Sequence, residues 1–313
     1  MPVFEQGYRP YKGALERRSP LWPMLWTNVR TRLRWWVWVL AAVLLFYPHL
    51  VWGVMVFVLT AGSSLLGIPT PAGLAGGPPT VAYAARNPLN PDAIFSMLQS
   101  ESAAGALALY WTVLEQSMLA NVVLPAVACG GILANDRTTR AMEFYFARPV
   151  GRVHYLLSKL LAVACFSALV TTLPTLLIWG ETVAFHSDSS FLLRTWMAPF
   201  SIVLAGAVYA FWIASVVTAL SSLLRRPVLV GVITIFGTFL LQFLAFLVAE
   251  TTQDRSWRML DPKYALGGWT APLFGLDLPE WLATPWLALP AVGAPALLVL
   301  LVWRRVRAVE VST

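Results

Sequence analysis

Residues 134–159, ANDRTTRAMEFYFARPVGRVHYLLSK, form a polar, basic island between two long apolar runs. Five cations (Arg137, Arg140, Arg148, Arg152 and Lys159) face two acids, Asp136 and Glu143. In a membrane protein, such an excess of positive charge marks a cytoplasmic loop. Met142, Tyr145 and Phe146 recur at helical spacing, and Arg148-Pro149 then stops the run, because the residue before proline is disfavoured in the α region. The pattern predicts a short amphipathic helix held under the membrane by the spans on either side.

The composition requires those flanking runs to be membrane spans. Hydrophobic residues make up 58% of the 313, charged residues only 12%, and mean hydropathy is +0.68. A soluble domain carries about 25% charged residues. Fifteen tryptophans add an interfacial anchoring signal, since indole favours the headgroup layer. The net charge of +7 does not indicate nucleic acid, because the cations cluster beside apolar spans as topology signals do. Cys129 and Cys165 lie in apolar runs without metal-ligand spacing, and read as small buried hydrophobes. The polar, basic first thirty-odd residues and the lack of a small-residue cleavage site argue against a cleavable signal peptide.

The fold class expected is an all-α integral membrane protein. Its parts are a cytoplasmic arm and interfacial helix (1–35), a six-span domain (36–303) and a cytoplasmic tail (304–313). Ser19 as cap and Pro20 in the first turn predict a helix start. Leu21, Leu25, Val29 and Leu33 then repeat every four residues beside Trp22 and Trp26, against Arg30, Arg32 and Arg34. A basic amphipathic helix with tryptophan on its apolar side lies in the membrane interface. Apolar runs near 36–60, 104–133, 157–180, 197–223, 228–249 and 283–303 each approach the roughly 20 residues that cross a bilayer. Pro125 predicts a kink in the second. With both ends cytoplasmic, the inside segments hold 17 of the 22 Lys and Arg residues and the outside segments hold 5. Of the long outer segments, 61–103 is rich in Gly and Pro up to Pro91, with Asp92 as a helix cap; 250–282 is expected to contain short interfacial helices.

Several chemistries have no motif. The sequence has no Gly-x-x-x-x-Gly-Lys-Ser/Thr phosphate loop, no His-Glu-x-x-His metal pair and no Gly-x-Ser-x-Gly elbow. No catalytic residue, metal site or cofactor is therefore assigned to this chain. Glu115 falls about eleven residues into the second span, near mid-bilayer. A carboxylate there costs about 2.5–3.5 kcal/mol on insertion scales and must face protein or water. Glu115 and Asn121 are thus candidates for a translocation path, with a protonated Glu115, or one that hydrogen-bonds a neighbouring span for packing alone, as the equal alternative.

The order Asp136-Arg137, Thr138-Thr139, Glu143, Arg148-Pro149-Val150-Gly151-Arg152 and Lys159 resembles the loop between spans two and three in the membrane (permease) subunit of type-2 ABC transporters. Asn135, Thr139-Arg140 and Phe144-Tyr145-Phe146 depart from that pattern, which bears on which ATPase is recognised. The resemblance implies an interfacial "elbow" helix, a coupling helix near 138–147 and a bacterial inner-membrane location with both termini cytoplasmic. It further implies a permease subunit, an exporter, that pairs with a second permease subunit as homodimer or heterodimer, in contact with membrane lipids and not nucleic acid. Two copies of a separate P-loop ATPase subunit would carry ATP and Mg. Arg140 and Glu143 would make polar contacts with that ATPase, and Met142, Tyr145 and Phe146 would anchor it. Pro149, Gly151 and Arg152 would turn the chain back to the membrane. The readings in competition are an ATPase-coupled unit that transmits force to periplasmic or surface partners without moving a solute, and an ATPase-independent membrane enzyme or scaffold.

Overall fold

A bilayer leaves no water for backbone N–H and C=O groups, so a chain this apolar must satisfy them within helices or closed barrels. The computed structural model describes residues 19–48, 54, 103–139, 151–185, 189–278, 282 and 284–310, and among these every regular element is a helix. In chain order they are α1 (Leu21–Arg32), α2 (Trp35–Pro48), α3 (Ala103–Gln116), α4 (Met118–Cys129) and α5 (Ala134–Thr138). Then come α6 (Arg152–Val170), α7 (Thr172–Phe185), α8 (Ser189–Thr195), α9 (Ala198–Leu223), α10 (Pro227–Thr252), α11 (Pro262–Thr270) and α12 (Ala294–Glu310). Short 3-10 turns flank α11.

Among the described residues, five stretches are long and apolar enough to cross a membrane: Met118–Thr138, Arg152–Ala184, Phe191–Leu223, Pro227–Thr252 and Pro285–Val306. The expected first span gives a shorter apolar helix, Trp35–Phe46, within the described residues. The protein is therefore a multi-pass helical membrane protein. α9 is its central pillar, packed against α6, α12, α7 and α4, with Tyr209, Ile213 and Val217 fully buried. α10 stands at the rim and turns Phe236, Leu240 and Phe243 outward.

The breaks in the helices have local causes. The second predicted span is interrupted at Ser117, and α4 runs through Pro125 without a break. The Ser117 hydroxyl donates to the Leu114 carbonyl at 2.6 Å, and such back-bonding competes with the helical ladder. The third is longer than the predicted 157–180, running from Arg152 to Ala184 and interrupted at Thr171. Pro174 can donate nothing to the Val170 carbonyl, and the Thr171 hydroxyl bonds back to Ser167 O at 2.9 Å.

α1 starts one residue later than expected, at Leu21, with Pro20 in the capping position; Ser19 Oγ accepts from Leu21 N at 3.4 Å. Its stripe of Met24, Leu25 and Val29 packs on the protein core along α6, while Trp22 (71% exposed) and Trp26 (57%) point outward. The predicted apolar face is therefore divided: the aliphatics go to the protein and the indoles to the surroundings. Of the two thiols, Cys129 is buried as expected and Cys165 is exposed. Segments 61–102 and 140–150, with Asp92 and the proposed coupling helix, lie outside the described residues.

The end of α4 meets the start of α10 through backbone. A Cβ on Gly130 would lie 2.9 Å from Pro227 O and 3.3 Å from Gly231 N, so only glycine allows this approach. Gly237, on the same helix as Gly231, has open space around it. Gly130→Ala should destabilise the protein by about 1–3 kcal/mol through overpacking, whereas Gly237→Ala should not. Thermal unfolding of the two purified variants in one detergent reads the difference.

Candidate functional site

Two polar clusters interrupt this apolar body. One lies between Asp136 on α5 and Lys159 on α6, which flank segment 140–150 in the sequence. Lys159 Nζ lies 2.7 Å from Asp136 Oδ2, with the lysine side chain 1% exposed. The same ammonium donates to Asn28 Oδ1 of α1 at 2.8 Å. Tyr155, one turn earlier on α6, donates its hydroxyl to Asp136 Oδ2 at 2.8 Å. Asn28 Nδ2 reaches Ser158 Oγ at 3.4 Å. One buried ion pair, bonded directly by Asn28 and Tyr155 and through Asn28 to Ser158, thus ties α1, α5 and α6 together.

A second set of bonds joins that knot to the central pillar. Ser221 Oγ of α9 accepts from Leu133 N at 2.9 Å and Ala134 N at 3.0 Å, buried amides at the start of α5 that have no acceptor within the helix. Arg137 donates to the Ser222 carbonyl in the last turn of α9, where a cation also complements the helix dipole. Arg32 Nη2 donates to Gly131 O at 3.1 Å.

Of the residues predicted for the partner contact, Arg140, Met142, Glu143, Tyr145, Phe146 and Pro149 lie outside the described residues. Gly151 is the N-cap of α6 and Arg152 its first residue. The sequence reading counted Arg137 and Lys159 only as basic-loop charges, yet one caps α9 and the other is a buried partner of Asp136. A signal was present: Lys159 is followed by the apolar run Leu160-Leu161-Ala162-Val163, where an ionisable side chain needs a named partner. Asn28 gave a weaker one, as a polar residue one turn from Met24 on the packed side of α1.

The second cluster surrounds Glu115. In segment 250–282, where short interfacial helices are expected, α11 packs against α3, α9 and α10. Trp111 Nε1 donates to Gly267 O at 2.9 Å. A Cβ on Gly267 would lie 3.2 Å from Glu115 Oε1 and 3.3 Å from Trp111 Cζ2, so glycine lets the two helices touch. Glu115 is 3% exposed and lines a cavity of about 160 Å³ with Gln116, Thr238, Gln242 and Lys263. Lys263 attracts the carboxylate and Asp261 repels it. Thr238 and Gln242 occupy the middle of the 26-residue α10, so the cavity is well inside the membrane-spanning body. Burial raises the Asp261 carboxyl above its ordinary range, opposed by the hydrogen bond from Lys263 N at 2.8 Å that caps α11.

Asn121, predicted beside Glu115, does not line that cavity. It accepts from Ser167 on α6 and reaches Tyr209 O on α9 at 3.5 Å, bracing three spans. Glu115 and Asn121 therefore do different work. Compared with protein-family models, curated proteins and solved structures, the chain matches none.

Removing only the cation of the ion pair leaves a buried carboxylate without its partner, which costs about 3–5 kcal/mol. Lys159→Met should lower the unfolding temperature sharply. Asp136→Asn with Lys159→Met should recover part of the loss, measured by the same thermal unfolding. For the cavity, Thr238→Cys in a Cys165→Ser background should react with a small charged methanethiosulfonate several-fold faster than Thr234→Cys. Thr234 is buried one turn away and does not line the cavity. Equal rates would show that water does not enter.

Proposed function

We propose that this chain is the permease subunit of a type-2 ABC transporter, an exporter of a bacterial inner membrane. It would work as a homodimer or heterodimer with two copies of a P-loop ATPase that carry ATP and Mg. The supporting observation is the knot between the helices that flank segment 140–150. A loop that receives force from a soluble partner is useful only if its two ends are fixed to the spans. Here the flanking helices are bonded to each other by Asp136 and Lys159, to α1 by Asn28, and to α9 by Ser221 and Arg137. A push on the loop would be delivered to four helices as one body. The Glu115 cavity, deep in the same body, offers a polar stop on the path of a transported molecule.

On this reading Arg140, Met142, Glu143, Tyr145 and Phe146 seat in the ATPase, and α1 is the elbow that rides in the interface. ATP-driven closure of the ATPases would draw the two loops together and rearrange the paired membrane halves. Tagged protein from native membranes should therefore bring down a P-loop ATPase. Glu143→Arg should abolish that association while leaving insertion in the membrane normal. An unchanged yield of ATPase with the variant would overturn the seat.

A further inference from the structure

A third polar feature plays no part in that reading. Where α1 ends and α2 begins, a cavity of about 360 Å³ opens between Arg32, Arg34 and Trp36 on one side and Asn135 and Pro227 on the other, with Thr31 at its edge. It is far larger than the roughly 30 Å³ share of a water molecule. Among the described residues, two guanidinium groups line it and no acidic side chain does. Arg32 spends one of its donors on Gly131 O, which fixes its position, and a guanidinium has five. α2 begins at Trp35, so the positive dipole end of that helix stands beside the arginines, with its Val37 and Trp38 amides bonded to Arg34 O at 3.0 and 3.2 Å. The acid nearest in sequence, Asp136, is already paired with Lys159.

The position of the cavity matters as much as its charge. It lies at the ends of α4 and α10, with Val127 and Pro227 among its walls. Trp35 (78% exposed), between the cavity residues Arg34 and Trp36, projects outward, as indoles do at the headgroup layer. Basic pockets between spans at that level suit anionic headgroups, and arginine binds phosphate through paired N–H donors. We infer that this cavity binds a phosphate-bearing group, the headgroup of an anionic phospholipid or a soluble phosphate ester, between Arg32 and Arg34. A choline headgroup would find no carboxylate to balance its cation.

The test uses the full-length purified protein and native mass spectrometry, with phosphatidylglycerol and phosphatidylcholine of matched chains as probes. Wild type should retain phosphatidylglycerol over phosphatidylcholine. Arg34→Gln should weaken that retention about fivefold, the worth of one cation at a membrane surface. Arg30→Gln removes the same charge from an exposed position outside the cavity and should stay near wild type. Asn135→Asp, which places an acid in the cavity, should act like Arg34→Gln and stands in if that variant misfolds. Displacement of the lipid by millimolar inorganic phosphate would identify a soluble ester as the occupant; resistance to it would identify the lipid. Equal loss in Arg30→Gln and Arg34→Gln, or no loss in either Arg34→Gln or Asn135→Asp, would overturn the site.

Discussion

A lysine ammonium buried 2.7 Å from an aspartate carboxylate is the constraint around which this end of the molecule is organised. Taking two charges out of water costs several kcal/mol each, and their attraction offsets that only when the remaining donors and acceptors are also satisfied. The surroundings meet that condition. Lys159 has Asn28 as a second acceptor, and Asp136 has the Tyr155 hydroxyl as a second donor. Each supporting residue comes from a different place in the chain, so the satisfaction of the pair dictates how α1, α5 and α6 meet. The apolar packing of Met24, Leu25 and Val29 on the core could slide by a turn at little cost; the hydrogen bonds could not.

The same logic explains what the amino-acid sequence revealed and what it did not. Apolar runs of span length are legible because the bilayer fixes both their length and their polarity; α9 and α10 fall within a few residues of expectation. The basic excess around 134–159 was equally plain, but its meaning was mixed. Positive charge beside a span reads the same in sequence whether it faces solvent, as a topology signal, or turns inward to a carboxylate. Lys159 and Arg137 turn inward, and only the approach of Asp136 and of the α9 terminus decides it. Where a helix breaks is hard to read in a sequence for a related reason. Pro125 was the conspicuous candidate, yet Ser117, with a hydroxyl free to compete for a carbonyl, is where the second span is interrupted.

The outer segment 250–282 shows a further limit. Its Asp-Pro start and short apolar stretch were read as interfacial helices, and the helix itself is there. Its packing partners were not legible, because they are set by small residues at contacts made elsewhere in the chain. Gly267 meets Trp111 and Glu115, and Gly268 meets Leu282 and Leu287, at distances no Cβ would tolerate without a shift. The glycine pair Gly267-Gly268 in a nine-residue helix was the available clue. Its weight depends on a partner helix more than a hundred residues away.

The two buried charged groups then differ in kind. Replacing a buried pair by apolar side chains of similar volume often leaves stability unchanged or improved, so the Asp136–Lys159 pair is better understood as fixing position than as adding stability. An apolar substitute would fill the volume without choosing among neighbouring turns of α1, whereas Lys159 bonds Asn28 and Asp136 along fixed directions. Glu115 has no comparably enclosed set of partners: its carboxylate opens on a cavity that also holds Lys263 and two glutamines. A charge with fixed partners on several sides holds helices together; a charge beside an open space is available to something that enters it. That asymmetry puts mechanical rigidity at the loop end of α4 and chemical accessibility at the other, with the interruption at Ser117 between them.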